Sequence, residues 1–147
     1  MPSVRRQAFV EQGASRMFDL VNSVEAYPKW FSWCIASHIL EQTADHIVAR
    51  LDVGLGAFRT WFTTENRLER PDHIHLRLRD GPFRRLEGYW AFDAVSQSAC
   101  NVGLYLEFEP SSRLLTPVVT IGLQGLADRM VKDFILVAQS GHHNVAS

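Results

Sequence analysis

A long apolar run near the end of the chain, at residues 114–138, constrains the fold more than any other stretch. At about 1.5 Å per residue, a helix over this run is roughly 40 Å long, enough to cross a small domain. Its opposite face carries charges, among them Asp128 and Lys132 at the helical pairing distance of four. These charges exclude a transmembrane span. The run therefore predicts one long amphipathic helix, whose apolar face repeats at steps of three and four: Leu115, Val119, Leu123, Leu126, Met130, Phe134 and Val137.

The first turns of this helix depart from the pattern, because apolar side chains there also fall on the side that is polar further along. Three residues do so: Leu114, Val118 and Ile121. A helix that is apolar nearly all round needs a second apolar surface to cover it. We expect these three residues to contact a membrane or a lid over a binding site.

Ahead of the helix, the apolar period changes to two, which is typical of strands with one buried face. The alternation begins beyond Ile35 and recurs as far as Phe108. A further strand is predicted at residues 4–10, followed by a short helix capped by Ser15. Next comes an aromatic corner, a loop or helical turn that is expected to gate a binding site, to touch a membrane interface or to pack as core: Tyr27, Trp30, Phe31 and Trp33.

The turn between two of the strands is predicted from the segment Arg70-Pro71-Asp72-His73. The apolar residues Leu68 and Leu76 must face the same side, and a two-residue loop would place them on opposite faces. We therefore expect a three-residue loop at residues 71–73, or a bulge that has the same effect.

One strand, two short helices, a meander of antiparallel strands and a long final helix predict an α+β domain of the helix-grip type. In this fold a curved antiparallel sheet wraps around the C-terminal helix. A length of 147 residues suits one domain. We expect it to be ordered from about residue 2 to about residue 140, with a fraying tail after Gly141. A sheet that bends around a helix leaves a gap between the layers, and such gaps bind ligands.

Two polar residues fall among the apolar side chains that face this gap. Thr64 and Asn66 share a strand face with Phe62 and Leu68, and buried polar groups require hydrogen-bond partners. Two interpretations remain open: they orient the polar head of a bound molecule, or they satisfy backbone groups and water. The predicted cavity residues are Tyr27, Phe31, Trp33, Phe62, Thr64, Asn66, Leu78, Phe83, Trp90, Leu104, Leu106, Val119, Leu123, Leu126 and Met130.

Basic residues concentrate in the middle of the chain, where seven of the fifteen lysines and arginines fall between positions 59 and 85. Several of them take the outward phase of neighbouring strands. Arginines with aromatic rings between them suit RNA phosphates and bases, whereas a solvated face paired with glutamates needs no partner. The net charge of -1 predicts no general attraction to polyanions. The candidate RNA-contact face consists of Arg59, Trp61, Arg67, Arg77, Arg79 and Arg85.

Signals for metal binding or catalysis are weak. His73 and His75 share one side of a strand, but Arg77 and Arg79 continue that side, and no acid or thiol completes a ligand set in the pattern. We therefore expect no metal site. A nucleophile elbow, a phosphate loop and a zinc-protease motif are all absent, so the chemistry of the sequence favours binding over catalysis.

The two cysteines bear on the cellular compartment. Cys34 and Cys100 are isolated from one another, which fits reduced thiols packed in a cytosolic protein. Residues 1–10 contain no secretory signal. A cytoplasmic location is expected.

Three motifs are spread over nearly the whole chain. They are Tyr27-Pro28 with Phe31 and Cys34, then Phe62-Thr63-Thr64 with Asn66 and Leu68, and then Asp80-Gly81-Pro82-Phe83-Arg84-Arg85-Leu86 with Gly88 and Trp90. In these motifs the chain resembles the ribosome-association toxin and coenzyme Q-binding branch of the START-like superfamily, also known as SRPBCC or polyketide cyclase/dehydrase. The third motif is the most specific of them. Ser32-Trp33 departs from the pattern, since relatives often place a proline there.

The resemblance implies a helix-grip fold with a hydrophobic cavity and two competing roles. One is a non-enzymatic carrier of ubiquinone or a related lipid, which supports respiration and requires no cofactor. The other is a toxin that binds the large ribosomal subunit and inhibits translation initiation. A polyketide aromatase/cyclase is a third hypothesis, resting on the superfamily name alone. The carrier role implies a bacterial cytoplasmic protein that contacts the inner membrane transiently; the oligomeric state is left open.

Overall fold

The computed structural model describes residues 2–140 of the chain. Strand β1 (Ser3–Val10) is followed by helix α1 (Ala14–Asn22), a 3-10 turn (Val24–Ala26) and helix α2 (Tyr27–Trp30). Six strands come next: β2 (Cys34–Gln42), β3 (His46–Leu55), β4 (Phe58–Glu69), β5 (His73–Asp80), β6 (Phe83–Ser96) and β7 (Ala99–Pro110). A second 3-10 turn (Arg113–Leu115) leads into helix α3 (Thr116–Gln139). The predicted tail after Gly141 lies outside the described residues.

The seven strands form one antiparallel sheet in the order β1-β7-β6-β5-β4-β3-β2. Strands β2 to β7 are neighbours in chain order, and β1 joins the far edge by pairing with β7. Helices α1 and α3 contact each other, and both pack against the sheet. The α+β helix-grip architecture predicted from the sequence, with two short helices after the first strand, is confirmed.

Helix α3 supplies one face of the core, as its periodicity predicts. Leu123, Leu126, Met130, Phe134 and Val137 are all buried. The predicted apolar face is wrong at its first residue, because Leu115 lies in the 3-10 turn before the helix and is 53% exposed. The helix begins one residue later, at Thr116, with Pro117 in its first turn, where a proline costs no hydrogen bond.

Helix α1 begins at Ala14 rather than after a Ser15 cap, so that expectation is also wrong. Gly13 occupies the cap position, and no side chain caps the helix. A Cβ atom on Gly13 would lie 2.7 Å from the carbonyl oxygen of Gln97. The close approach of that backbone therefore selects glycine over a capping side chain, and Ser15 is placed inside the first turn.

The β4–β5 turn has the predicted length but is shifted by one residue. Glu69 pairs with His73, which leaves residues 70–72 as the loop instead of 71–73. Leu68 lies opposite Ile74, and Asn66 lies opposite Leu76. Leu68 and Leu76 therefore do share a face, as required, but from Thr64 to Glu69 each cross-strand partner differs by two positions from the prediction.

Candidate functional site

A narrow cavity lies between the inner face of the sheet and helix α3. Its volume is about 60 Å³. A pocket for a small molecule of drug size is roughly 300–1,000 Å³, so this cavity has space for only a few water molecules. Its walls are almost wholly apolar, and they are contributed by Val21, Asn22, Val24, Tyr27, Ala49, Leu51, Phe62, Thr64, Asn66, Ile74, Leu76, Leu86, Trp90, Leu104, Leu106, Leu123, Leu126, Ala127 and Met130.

Most of the predicted cavity residues do meet around this space. The sheet provides Phe62, Thr64 and Asn66 from β4, Trp90 from β6, and Leu104 and Leu106 from β7. Helix α3 provides Leu123, Leu126 and Met130, and Tyr27 closes the space from α2.

Five predicted residues lie elsewhere, so their assignment to the cavity is corrected. Phe83 and Leu78 are at the ends of their strands, where the ring of Phe83 packs edge-on against Phe62. Val119 is half-buried in the first turns of α3. Phe31 and Trp33 are buried beside the cavity and pack onto Phe134 instead.

Three rings of the aromatic corner, those of Tyr27, Phe31 and Trp33, are buried in the core, and Trp30 is half-buried against it. The rings of Phe31 and Trp33 stack at 4.8 Å, and Tyr27 meets Phe134 edge-on at 5.2 Å. The indole nitrogen of Trp33 donates a hydrogen bond of 3.1 Å to Asp133 on α3. This packing fixes the corner against helix α3. It agrees with core packing, which is one of the alternatives that the sequence left open.

Three polar side chains line the cavity besides Tyr27: Asn22, Thr64 and Asn66. The hydroxyl of Thr64 donates to the side-chain oxygen of Asn66 at 2.6 Å, and both residues are buried. Asn22 also lines the cavity, and its side-chain oxygen is buried without a hydrogen-bond partner among the described residues. Sequence reasoning missed Asn22, because the end of helix α1 carries no periodic signal that aims it inwards.

The titratable groups near the core are held neutral. Tyr27 is the one titratable residue in the cavity wall; burial raises its pKa, and its hydroxyl donates to the carbonyl of Val21. Cys34 and Cys100 are free and buried, as predicted. Burial first, and then the charge of Asp52, raise the pKa of Cys34 to about 11. None of these three groups is prepared to act as a base or a nucleophile near neutral pH.

The outer face of the sheet carries the predicted arginines, but most are ion-paired. Arg67 lies 3.3 Å from Glu69, Arg79 lies 3.4 Å from Glu65 and 3.7 Å from Glu41, and Arg85 contacts Glu87 and Glu107. Trp61 is stacked beneath Arg50, whose guanidinium carbon is 4.1 Å from the ring centre. In the described part of the chain, Arg59 and Arg77 have no acid within ion-pair distance. The predicted basic surface is therefore a surface of mixed charge.

A straight row of side chains crosses the same face from strand to strand. Successive pairings join the row residues across β1, β7, β6, β5, β4 and β3. The two central rings are 5.6 Å apart, and an arginine lies 4.6 Å over the outer ring. We call this set the cross-strand row: Arg5, Tyr105, Tyr89, His75, Arg67 and His46. Only Arg67 among them belongs to the face predicted from the sequence.

The β4–β5 hairpin corrects the expectation that no acid joins His73 and His75. Glu69 lies directly opposite His73, and its carboxylate accepts a hydrogen bond of 2.6 Å from the ring of His75. That hydrogen bond lowers the pKa of Glu69. The spacing of residues along one strand shows His73 and His75 together, but it does not show Glu69, which lies on the neighbouring strand.

The apolar residues in the 3-10 turn before α3 and in the first turns of α3 are exposed. Leu114 is 90% exposed, Ile121 71% and Val118 61%. They form a patch that no other described residue covers. No helix among residues 2–140 is both long and apolar enough to cross a membrane.

Comparison with known proteins agrees with this geometry. The family model described as "Polyketide cyclase / dehydrase and lipid transport" matches residues 10–135. The ribosome association toxin RatA of Escherichia coli K12 is 37% identical over 139 residues, which cover 95% of this chain and 88% of that protein. RatA of Vibrio cholerae O395 is 40% identical over 134 residues, covering 91% and 93%. A START superfamily protein from Mycobacterium smegmatis superposes with a TM-score of 0.81 at 19% identity, covering 95% and 99%. The chain belongs to the START-like polyketide cyclase/dehydrase and lipid transport family.

Proposed function

We propose that this protein associates with the ribosome and binds the large subunit through the outer face of its sheet. The observation that carries the proposal is the identity of 37–40% with ribosome association toxins over more than nine-tenths of the chain. Binding of that subunit would block its union with the small subunit, and so inhibit translation initiation. The cross-strand row supplies a surface that suits this partner.

The row is suited to single-stranded or looped RNA. Tyr105, Tyr89 and His75 present a continuous strip of rings, with Arg5 at one end and Arg67 at the other. Unstacked bases pack on such rings, while arginines contact the phosphates. Stacking contributes about 1–3 kcal/mol per base. Because Arg67 and Arg85 are already paired with glutamates, we expect affinity to depend more on the rings than on net charge.

Co-sedimentation with purified large subunits tests this proposal. Two variants address the outer face: Tyr89→Ser removes the central ring, and Arg77→Glu reverses a cation that forms no ion pair, although Glu65 and Glu87 lie opposite it on the neighbouring strands. Each should weaken binding about tenfold, since one stacked base or one phosphate contact is lost. Lys132→Glu is the matched control, because it reverses an exposed cation on helix α3; it should bind as the wild type does.

Absence of co-sedimentation by the wild-type protein would contradict ribosome association itself. Equal binding by the wild type, Tyr89→Ser and Arg77→Glu would contradict the assignment of the outer face, and loss in Lys132→Glu alone would move the contact to α3.

A second candidate function is favoured by the cavity: we infer that it binds a lipophilic molecule with one polar head, for which ubiquinone is the candidate. The unpartnered oxygen of Asn22 supports this, since buried polar atoms are normally satisfied. The Thr64–Asn66 pair adds further polar groups to the cavity wall. Hydrogen bonds and apolar contact, without an acid or base, suit binding rather than cyclase chemistry. At about 60 Å³ the cavity must widen to take a ring or a chain. The exposed patch of Leu114, Val118 and Ile121, in the turn before α3 and in its first turns, would then contact the membrane that supplies the lipid.

Native mass spectrometry of protein purified from its own host tests this second function. Leu126→Trp fills the cavity from helix α3, whereas Leu136→Trp adds the same ring on the exposed side of that helix, where Leu136 is 51% exposed. We expect bound lipid in the wild type and in Leu136→Trp, and none in Leu126→Trp. Circular dichroism establishes that each variant is folded. Lipid retained by a folded Leu126→Trp protein, or no lipid in the wild type, would contradict the proposal.

A further inference from the structure

The β4–β5 hairpin brings three metal-binding side chains together on the outer face of the sheet. Glu69 and His73 are a directly opposed pair, and His75 follows two residues later, on the same side of β5. One carboxylate oxygen of Glu69, Oε1, lies 2.6 Å from Nε2 of His75 and 3.8 Å from Nδ1 of His73. One ligand atom from each residue lies within 4.8 Å of those of the other two.

Neighbouring groups hold these three side chains in place. Arg67 contacts the other carboxylate oxygen, Oε2, at 3.3 Å, so Oε1 is left facing both imidazoles. The two imidazole rings stack at 5.5 Å, and Tyr89 packs against them at 6.0 and 6.4 Å. Because all five residues of this arrangement sit on the paired strands β4, β5 and β6, the ligand atoms are carried by a rigid part of the fold. Partners that orient the ligands in this way typically raise metal affinity.

The distances are close to those of a metal centre. Ligand atoms at about 2.1 Å from a tetrahedral ion are about 3.4 Å from one another. Oε1 and Nε2 of His75 would move apart by less than about 1 Å, as the ion replaces the proton that they share. The side chains are 48%, 37% and 33% exposed for Glu69, His73 and His75, so an ion can enter from solvent and complete its coordination with water.

From this geometry we propose that Glu69, His73 and His75 form a binding site for a divalent transition-metal ion such as Zn²⁺. Two imidazoles and a carboxylate suit zinc, copper, nickel or cobalt, whereas Mg²⁺ and Ca²⁺ prefer a shell of oxygen ligands. The fourth coordination position faces solvent and accepts water or an anionic oxygen.

Isothermal titration of the full-length, untagged protein with Zn²⁺ tests the site, and the visible absorption of Co²⁺ reports its geometry. We expect one saturable site per chain and a tetrahedral Co²⁺ spectrum, with no binding of Mg²⁺. Glu69→Gln, His73→Ala and His75→Ala should each weaken Zn²⁺ binding at least tenfold, because each removes one ligand. His38→Ala removes an exposed histidine from strand β2 and should leave the affinity unchanged.

The tail histidines require their own control, since they are metal ligands by residue type. A His142→Ala/His143→Ala variant should bind Zn²⁺ as tightly as the wild type. If binding disappears in that variant and persists in His73→Ala and His75→Ala, the site proposed for the hairpin is wrong. Absence of saturable Zn²⁺ binding by the wild type would overturn it equally. Circular dichroism of each variant separates loss of the ligand from loss of the fold.

Discussion

At the scale of single residues, Gly88 shows how the backbone constrains side-chain size. It lies opposite Leu106 in the β6–β7 pair. A Cβ atom at this position would be only 1.8 Å from the carbonyl oxygen of Tyr105 and 3.0 Å from the Cα of Leu106. The obstacle is backbone, which cannot rotate away as a flexible side chain could. This gives a physical reason for the glycine that precedes Trp90 in the third sequence motif.

We predict that Gly88→Ala destabilises the protein by about 3 kcal/mol or more, because the two strands must separate to admit the methyl group. Gly103→Ala is the matched control on the partner strand. There the nearest atoms are 3.7 and 3.8 Å from the added Cβ, so its stability should change by less than about 1 kcal/mol. Urea unfolding followed by circular dichroism measures both. Equal stability of the two variants would show that the strands are not held as close as the structure has them.

At the scale of elements, periodicity predicted what depends on one element alone. The buried face of α3 from Leu123 onwards follows from the spacing of its apolar residues. The existence of the strands follows from their alternation, and their antiparallel direction follows from the short connections between them. The ends of elements were less predictable, because tertiary contacts decide them. The close approach of Gln97 selects Gly13 as the cap of α1. The apolar spacing predicted Leu115 to be buried, but Leu115 lies outside the core and is exposed.

The hairpin between β4 and β5 shows why partners across strands were missed. Its turn is set by two backbone hydrogen bonds of 2.8 Å, from Asp72 to Glu69 and from Phe92 to Asp72. The second comes from strand β6, so local turn chemistry could not fix the register. A turn that begins one residue earlier moves the cross-strand partners of β4 in β5 by two positions. The shift places Glu69 opposite His73, and the separate pairing of β5 with β6 places Tyr89 opposite His75. The linear pattern indicated neither contact.

At the scale of the whole molecule, the cavity and the candidate RNA surface use opposite faces of one sheet. Alternation along each strand sends Asn66 inwards and Arg67 outwards, so variants of one face need not alter the other. The cavity was predictable as a gap between layers, and Thr64 and Asn66 as its polar residues. Its width was not, because the volume between layers depends on how closely all the side chains pack. Asp133, bound to Trp33 and 3.6 Å from Arg129, ties the aromatic corner to the helix that completes the core.

Because that core encloses neutral acids, the stability of the whole molecule should depend on alkaline pH. The pKa of Cys34 is raised from 9.0 to about 11 in the folded protein, by burial and by Asp52. The thiol stabilises the folded state fully below pH 9; this stability is lost as pH rises towards 11, since the unfolded chain releases the proton first. Buried Tyr27 acts in the same direction. Urea unfolding should show Cys34→Ala losing about 2 kcal/mol less than the wild type over this interval, at about 1.4 kcal/mol per pKa unit. Parallel losses in the two proteins would mean that the thiol is hydrated and ionises as freely in the fold as in the unfolded chain.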